Sequence, residues 1–334
     1  MEAPDQATPP RFPWRRRARY ASGVGLALLL LWAGASIAAA DRLTRRSPFV
    51  AEQIPSIDWA RGAEVSLHAR DGVTTPAWTF DVDEAAPTVV LLHPNGGSRS
   101  RMIGLARVWA RLGYNSIALT QRAHGDASGQ RNDFGWSARL DVLAALEWLA
   151  GRRSTPILLH GASLGAAAIC FAAPEIDDER WSRIQGLILE SPYSDLETAV
   201  RARTAMRLPW GLATAAALGL ELAAPLFLPE GAGRAPIEGF DSVPPGCRVL
   251  LLAGTGDRHA PPAEARRYHG RRPADCTLLV EEVGHVGWLT DTQRADGARY
   301  LAALRPWVTP SPAAGPGPDE KSPGAGRRTG PRAR

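Results

Sequence analysis

The chain reads as an α/β protein: a mostly parallel sheet with helices on both faces. Short, continuously apolar runs recur at residues 88–92, 116–119, 157–160, 187–190, 249–253 and 277–280, with helical segments between them. Continuous apolar strands alternating with helices indicate a parallel sheet covered on both sides. One of these runs, Pro156-Ile157-Leu158-Leu159-His160, passes through Gly161-Ala162-Ser163-Leu164-Gly165 into a helix of small residues at 166–172. With 334 residues the chain can form one large domain plus tails.

From the amino end, residues 1–20 are basic, with five Arg against Glu2 and Asp5. Residues 21–40 form an uninterrupted, mostly apolar stretch about long enough to cross a bilayer. Arg11, Arg15, Arg16, Arg17 and Arg19 precede it; Arg42, Arg45 and Arg46 follow, partly offset by Asp41. The stronger basic flank belongs in the cytoplasm, which puts the rest of the chain outside. Two readings stand: an uncleaved transmembrane anchor, or a signal sequence cut after Ala38-Ala39-Ala40. The first holds the rest of the chain at the outer, periplasmic face of the membrane; the second frees it in the periplasm.

A folded domain over 47–307 follows. Residues 64–68 and 77–81 alternate in polarity and are expected as antiparallel edge strands. Helices fit 102–112, 137–150 with Ser137 as N-cap, 166–172, 263–269 and 291–304. Most strands start about 28–41 residues apart, as strand–helix–strand units require. The gap from 190 to 249 is longer and holds a small helical cap insertion, about 195–241. Within it, 210–228 is almost wholly apolar apart from Glu221. Cap packing, a lining for an acyl group and a second membrane contact are its open readings; Pro209, Pro225 and Glu221 argue against a full span. Residues 308–334, rich in Pro, Gly, Ala and Arg, lack the apolar residues a core needs and are expected to be disordered.

The net charge of +5 is uneven. The first 20 residues sum to 5 − 2 = +3, and the tail's five bases against Asp319 and Glu320 sum to +3, leaving −1 between them. A near-neutral body with basic ends argues against a nucleic-acid surface.

A serine hydroxyl needs a base within hydrogen-bond reach, and the base needs an acid to orient it. Candidates follow Ser163 in the order acid, then histidine. The run 249–253 ends in Gly254-Thr255-Gly256-Asp257, and 278–280 leads through Val283-Gly284 into His285. Each lies just past the carboxyl end of its strand, the edge where α/β folds place their sites. Glu190 and Asp195 are the rival acids.

These residues carry a resemblance. The chain resembles an α/β-hydrolase of the serine-esterase and serine-aminopeptidase-like branch, in its membrane-anchored bacterial form, over about residues 64–307. His93-Pro94-Asn95-Gly96-Gly97 resembles the family's H-G-x-x-G loop, Arg122-Ala123-His124-Gly125 its R-G-H-G loop, and Asp257-Arg258-His259-Ala260-Pro261 its D-x-x-x-P segment. The resemblance implies Ser163 as nucleophile, His285 as general base and Asp257 as orienting acid, with the backbone N–H groups of Asn95 and Leu164 as the oxyanion hole. Pro94 and Ala123 replace glycines, and Thr120 stands where the family often has Asp. The implied activity is hydrolysis of a carboxylic ester, or a related acyl bond, of a small-molecule substrate through an acyl-enzyme. Acyl transfer, peptide or amide cleavage, and a non-catalytic binding fold are the alternatives.

His160 is expected to pack or hydrogen-bond locally, His124 to brace loops near the site, His93 to fix its loop and His259 to sit on the rim. His68 and His269 have no motif around them. None has the spacing of a zinc site, so neither metal nor cofactor is expected. Cys170 reads as a small buried apolar residue. Cys247 and Cys276 precede consecutive strands, leaving a disulfide or two free thiols as alternatives.

Overall fold

The computed structural model describes residues 13–308 apart from 232, 295, 296 and 306. The expected disorder from 309 onward, and the first twelve basic-segment residues, lie outside that range. A long helix, α1 (Pro13–Thr44), comes first. It carries one stretch long and apolar enough to span a bilayer, Arg17–Thr44.

The body is one eight-stranded sheet in the order β1-β2-β4-β3-β5-β6-β7-β8. A hairpin, β1 (Arg61–His68) and β2 (Thr74–Asp81), forms the antiparallel edge expected from its alternating pattern. β3 (Thr88–Leu92), α2 (Ile103–Arg111), β4 (Asn115–Leu119), α3 (Arg139–Ala150), β5 (Ile157–Ala162), α4 (Leu164–Ala172), a short α5 (Asp178–Arg183) and β6 (Ile184–Glu190) follow. After β6 come α6 (Leu196–Ala205), α7 (Trp210–Ala223) and α8 (Pro236–Phe240). β7 (Arg248–Gly254), α9 (Pro262–Arg271), β8 (Cys276–Glu281), α10 (Gly287–Arg294) and α11 (Ala298–Leu304) complete the fold. β2 meets β4 antiparallel; β3 to β8 run parallel.

Alternate residues of each strand face opposite sides, so continuous apolar runs feed two cores. Val90, Leu92, Ile157, Leu159, Val249 and Leu251 pack with Val142, Leu146, Ile169 and Phe240 from α3, α4 and α8. Val89, Leu91, Leu158, Leu250 and Leu252 pack with Leu105, Trp109, Leu289 and Tyr300 from α2, α10 and α11. Every strand from β3 to β7 is thereby covered on both faces, and its carboxyl end is left to carry the site.

Two local expectations are corrected, and of the two readings left open for Cys247 and Cys276 the unpaired one holds. Ser137 is not an N-cap: α3 begins at Arg139, and the Ser137 amide and hydroxyl both donate to the Asp133 carboxylate. The single helix expected over 291–304 is two helices, with Gly297 at φ +67° directly before the second. All three cysteines are free and buried. Cys276 pairs across the sheet with Val249, two residues past Cys247. That offset of about 6.6 Å along the strand, with about 4.8 Å between strands, separates the cysteine Cα atoms by about 8 Å. A disulfide needs about 7 Å or less.

Candidate active site

Ser163 stands between the end of β5 and the first turn of α4 at φ +51°, ψ −105°. A positive φ is uncommon for a side-chain-bearing residue and costs on the order of 1–3 kcal/mol. Neighbouring bonds hold it: its amide donates to the Glu190 carbonyl at 2.8 Å, and its carbonyl accepts from the Ala167 amide at 3.0 Å. The flanking glycines are demanded by space. A Cβ on Gly161 would lie 2.4 Å from the Gly165 carbonyl carbon, and one on Gly165 would lie 2.4 Å from the Leu92 carbonyl oxygen. Only glycine lets the helix lie this close to β5 and β3.

β7 and β8 bring the other two residues. His285 Nε2 lies 3.0 Å from Ser163 Oγ, and His285 Nδ1 lies 2.9 Å from Asp257 Oδ2. A carboxylate oxygen accepts, so Nδ1 carries the proton and Nε2 is left to accept from the serine hydroxyl. Asp257 Oδ1 accepts from the amides of His259 and Ala260 at 2.9 and 2.8 Å. Burial alone would raise the Asp257 pKa. The His285 hydrogen bond and charge, the Ala260 amide and the Ser191 hydroxyl outweigh it and hold the carboxyl below its usual range.

Leu164 opens α4, so its N–H has no acceptor within the helix and sits at the positive end of the helix dipole. Asn95 follows β3. Its Oδ1 accepts from Asn132 Nδ2 at 2.6 Å and lies 3.0 Å from His124 Nε2. His93 Nδ1 donates to the Pro94 carbonyl at 2.8 Å, and its Nε2 accepts from the Gln121 amide at 2.9 Å. Desolvation, with the nearby His124 charge, pushes the His93 pKa down to about 3, so the ring stays neutral and fixes the loop.

The remaining histidines and the rival acids have other partners. His160 is fully buried: Trp109 Nε1 donates to its Nδ1 at 3.1 Å, and its Nε2 lies 3.2 Å from the Tyr300 hydroxyl. Its ring faces the core rather than Ser163. The His259 ring lies 4.9 Å from that of His285. His68 pairs with Thr74 in the edge hairpin, and His269 lies in the last turn of α9. Glu190 accepts from the Leu289 amide at 3.0 Å and the Tyr300 hydroxyl at 2.5 Å. Asp195 caps α6 through the Thr198 amide at 2.6 Å and pairs with Arg267 at 2.9 Å. Among the described residues no three His, Cys, Asp or Glu side chains converge as metal ligands.

Two supports escaped the sequence reading. Asn132 reaches Asn95 across 37 positions of chain, with no local signal. Ser191, at φ +50°, accepts from the Val286 amide at 3.2 Å, tying the segment after His285 to the end of β6. Its position after an apolar strand was the only clue.

The sequence profile of the alpha/beta hydrolase family matches residues 89–303, and the chain belongs to that family. It is 28% identical over 144 residues to the protein bem46 of Schizosaccharomyces pombe, a match covering 41% of this chain and 46% of that one. The alignment thus spans about half the length of that relative. Among solved structures the fold is similar to the Pyrococcus furiosus esterase Pf2001, with TM-score 0.63 and 21% identity over 80% of this chain and 99% of that one. It is also similar to Est1E of Butyrivibrio proteoclasticus with ferulic acid bound, with TM-score 0.52 and 14% identity over 73% of this chain and 97% of that one.

Proposed function

We propose that this alpha/beta hydrolase cleaves a carboxylic ester, or a related acyl bond, of a small-molecule substrate through an acyl-enzyme on Ser163. The observation that carries the reading is His285, within hydrogen-bond distance of Ser163 Oγ on one side and of Asp257 on the other. As Ser163 Oγ bonds to the acyl carbon, His285 Nε2 takes the hydroxyl proton. The same nitrogen then gives it to the departing alcohol oxygen as the ester bond breaks. Water attacks the acyl-enzyme while His285 takes its proton; the acid leaves and Ser163 recovers the hydrogen. Asp257 holds the ring in the required tautomer and stabilises the imidazolium. The N–H groups of Leu164 and Asn95 take the negative charge that develops on the acyl oxygen.

In this reading α1 is an uncleaved anchor whose basic amino end stays in the cytoplasm of a bacterial cell, with the hydrolase domain held outside the inner membrane. The helix is continuous to Thr44, and its later turns bond to the body: Trp32 Nε1 donates to the Ala215 carbonyl at 3.0 Å. Cleavage after Ala40 would discard that contact. α6 and α7, between β6 and β7, are the cap over the body.

Labelling with a serine-directed fluorophosphonate tests the chemistry. A wild-type band that Ser163→Ala abolishes is expected. No band from folded wild-type protein would leave a non-catalytic fold.

A further inference from the structure

The faces of α7 are reversed relative to a helix that meets water. Its buried residues are small: Ala213, Ala217, Gly219 and Ala223. Its large apolar residues point outward, with Trp210 88% exposed, Leu212 63%, Leu218 50% and Leu222 65%, and Leu226 just beyond them 65%. No charged residue lies on that exposed side. The one charge of the helix, Glu221, is half-buried and pairs with Arg201 of α6 at 3.1 Å. A water-facing helix carries its polar residues outside, and a contiguous exposed apolar face marks an interaction surface.

What covers this face follows from what α7 rests on. It packs against α1, the one described helix long and apolar enough to span a bilayer. The approach is close: a Cβ on Gly219 would lie 2.0 Å from Ser36 Oγ. Small residues between two helices, with large apolar ones turned outward, is the packing used where lipid is the solvent. Along α1, Ser36, Ala40 and Thr44 recur every four residues on the buried side, while Leu28, Leu29, Leu30, Leu31 and Ile37 are exposed. Depth agrees. From Arg19 to Ser36 is 17 residues, about 26 Å of helix, against a hydrocarbon core of about 30 Å. The contact with α7 therefore falls in the outer part of that core, and α7 runs the same way as α1: Ala215 meets Trp32, Gly219 meets Ser36, and Phe227 just past α7 lies under Arg131, which pairs with Asp41.

The site lies at the same end. The Thr44 carbonyl, where α1 finishes, accepts from the Asn132 amide at 2.8 Å. Asn132 in turn holds Asn95. Arg46 Nη2 donates to the carbonyls of Gly125 and Ala127 at 2.9 and 3.2 Å. The chain thus leaves α1 bonded to the loops around the Ser163 edge of the sheet.

We propose that the outer face of α7 is buried among lipid acyl chains of the leaflet into which α1 emerges, and that the Ser163 mouth opens at this surface onto acyl esters resident in the bilayer. The inference rests on the membrane reading of α1 and deepens it.

The full chain, reconstituted in phosphatidylcholine–phosphatidylglycerol vesicles, provides the test. Leu28→Cys, Leu222→Cys and Arg152→Cys are each labelled with an environment-sensitive fluorophore, the three native thiols being buried. Nitroxides on the lipid acyl chains should quench the labels at 28 and 222 but not at 152, beyond the end of α3. Quenching at 28 without quenching at 222 overturns the α7 contact and leaves the anchor standing. Quenching at neither overturns both. If a label at 222 is quenched only by a nitroxide on another copy of the chain, a protein partner covers the face and the proposal fails. For the substrate class, Leu218→Glu with Leu222→Glu should lower hydrolysis of a long-chain ester dispersed in the vesicles at least tenfold, relative to a soluble short aryl ester. An equal effect on both esters overturns that part; the single-cysteine labels decide the surface however the double variant behaves.

Discussion

The Ser163 amide donates to the carbonyl of Glu190, and the Glu190 carboxylate holds the Leu289 amide four residues past His285. One residue at the end of β6 thus fixes both the turn that carries Ser163 and the segment that follows His285. Burial pushes the Glu190 carboxyl up to about 7, against the Tyr300 hydrogen bond and the Leu289 and Trp288 amides, from an ordinary 4.5. The folded state therefore keeps a proton that the unfolded chain releases, so stability falls as pH rises from about 4.5 to 7. The shift corresponds to on the order of 3 kcal/mol. Glu190→Gln cannot ionise and should lose this slope. Urea melts of both proteins from pH 4.5 to 8 should show wild-type stability falling relative to the variant by that order. A constant difference would mean that Glu190 does not titrate in the fold.

If the proposed roles of Ser163 and His285 hold, their removal should be far more damaging to rate than to stability. Ser163→Ala and His285→Ala should lower kcat/KM on a short aryl ester by about a thousandfold or more, with thermal midpoints within a few degrees of wild type. Asp257→Asn should cost about as much, because an amide can donate to Nδ1 and favour the wrong tautomer. Wild-type turnover in Ser163→Ala would remove the proposed mechanism.

How far these features could be read from the chain depended on the range of the forces that set them. The turn from β5 into α4 was legible because Gly161, Ser163 and Gly165 impose their geometry within five residues. β3, β5, β6 and β7 were legible because burial on both faces forces unbroken apolar runs. Ser137 misled because Asp133, four residues earlier, competes for its amide and hydroxyl. α5, six residues with none buried, left no periodic trace. The Asn132–Asn95 bond and the packing of α7 on α1 join distant segments, and no local pattern records either.

Gly161 and Gly165, which flank Ser163, should tolerate no side chain. In Gly165→Ala the new Cβ would meet the Leu92 carbonyl oxygen and its Cβ at 2.4 and 2.7 Å. Both belong to β3 in the middle of the sheet, so α4 must move outward. A loss of at least about 3 kcal/mol is expected, read as a lower urea midpoint. An unchanged midpoint would show that α4 does not pack this closely on β3.

Denatured, unreduced protein should yield three titratable thiols. In the native state they should react slowly, since all three are buried and desolvation pushes Cys170 up to about 12 and Cys247 and Cys276 up to about 11. A count of one would require β7 and β8 to shift by about two residues from the register that sets Cys276 opposite Val249.

The last turns of α1 should matter to the stability of the domain. Deleting residues 1–31 removes most of the exposed apolar stretch but keeps Trp32 on Ala215, Thr44 on Asn132 and Arg46 on Gly125 and Ala127. Deleting residues 1–46 removes all of these, leaves the Asn132 amide without the Thr44 carbonyl, and uncovers the small-residue face of α7. Each lost hydrogen bond is worth about 1 kcal/mol. In detergent, the longer deletion should therefore unfold at lower urea, by about 2 kcal/mol or more. Because Asn132 holds Asn95, it should also turn over a soluble aryl ester more slowly. Equal stability and equal kcat in the two truncations would show that these turns of α1 contribute nothing to the fold.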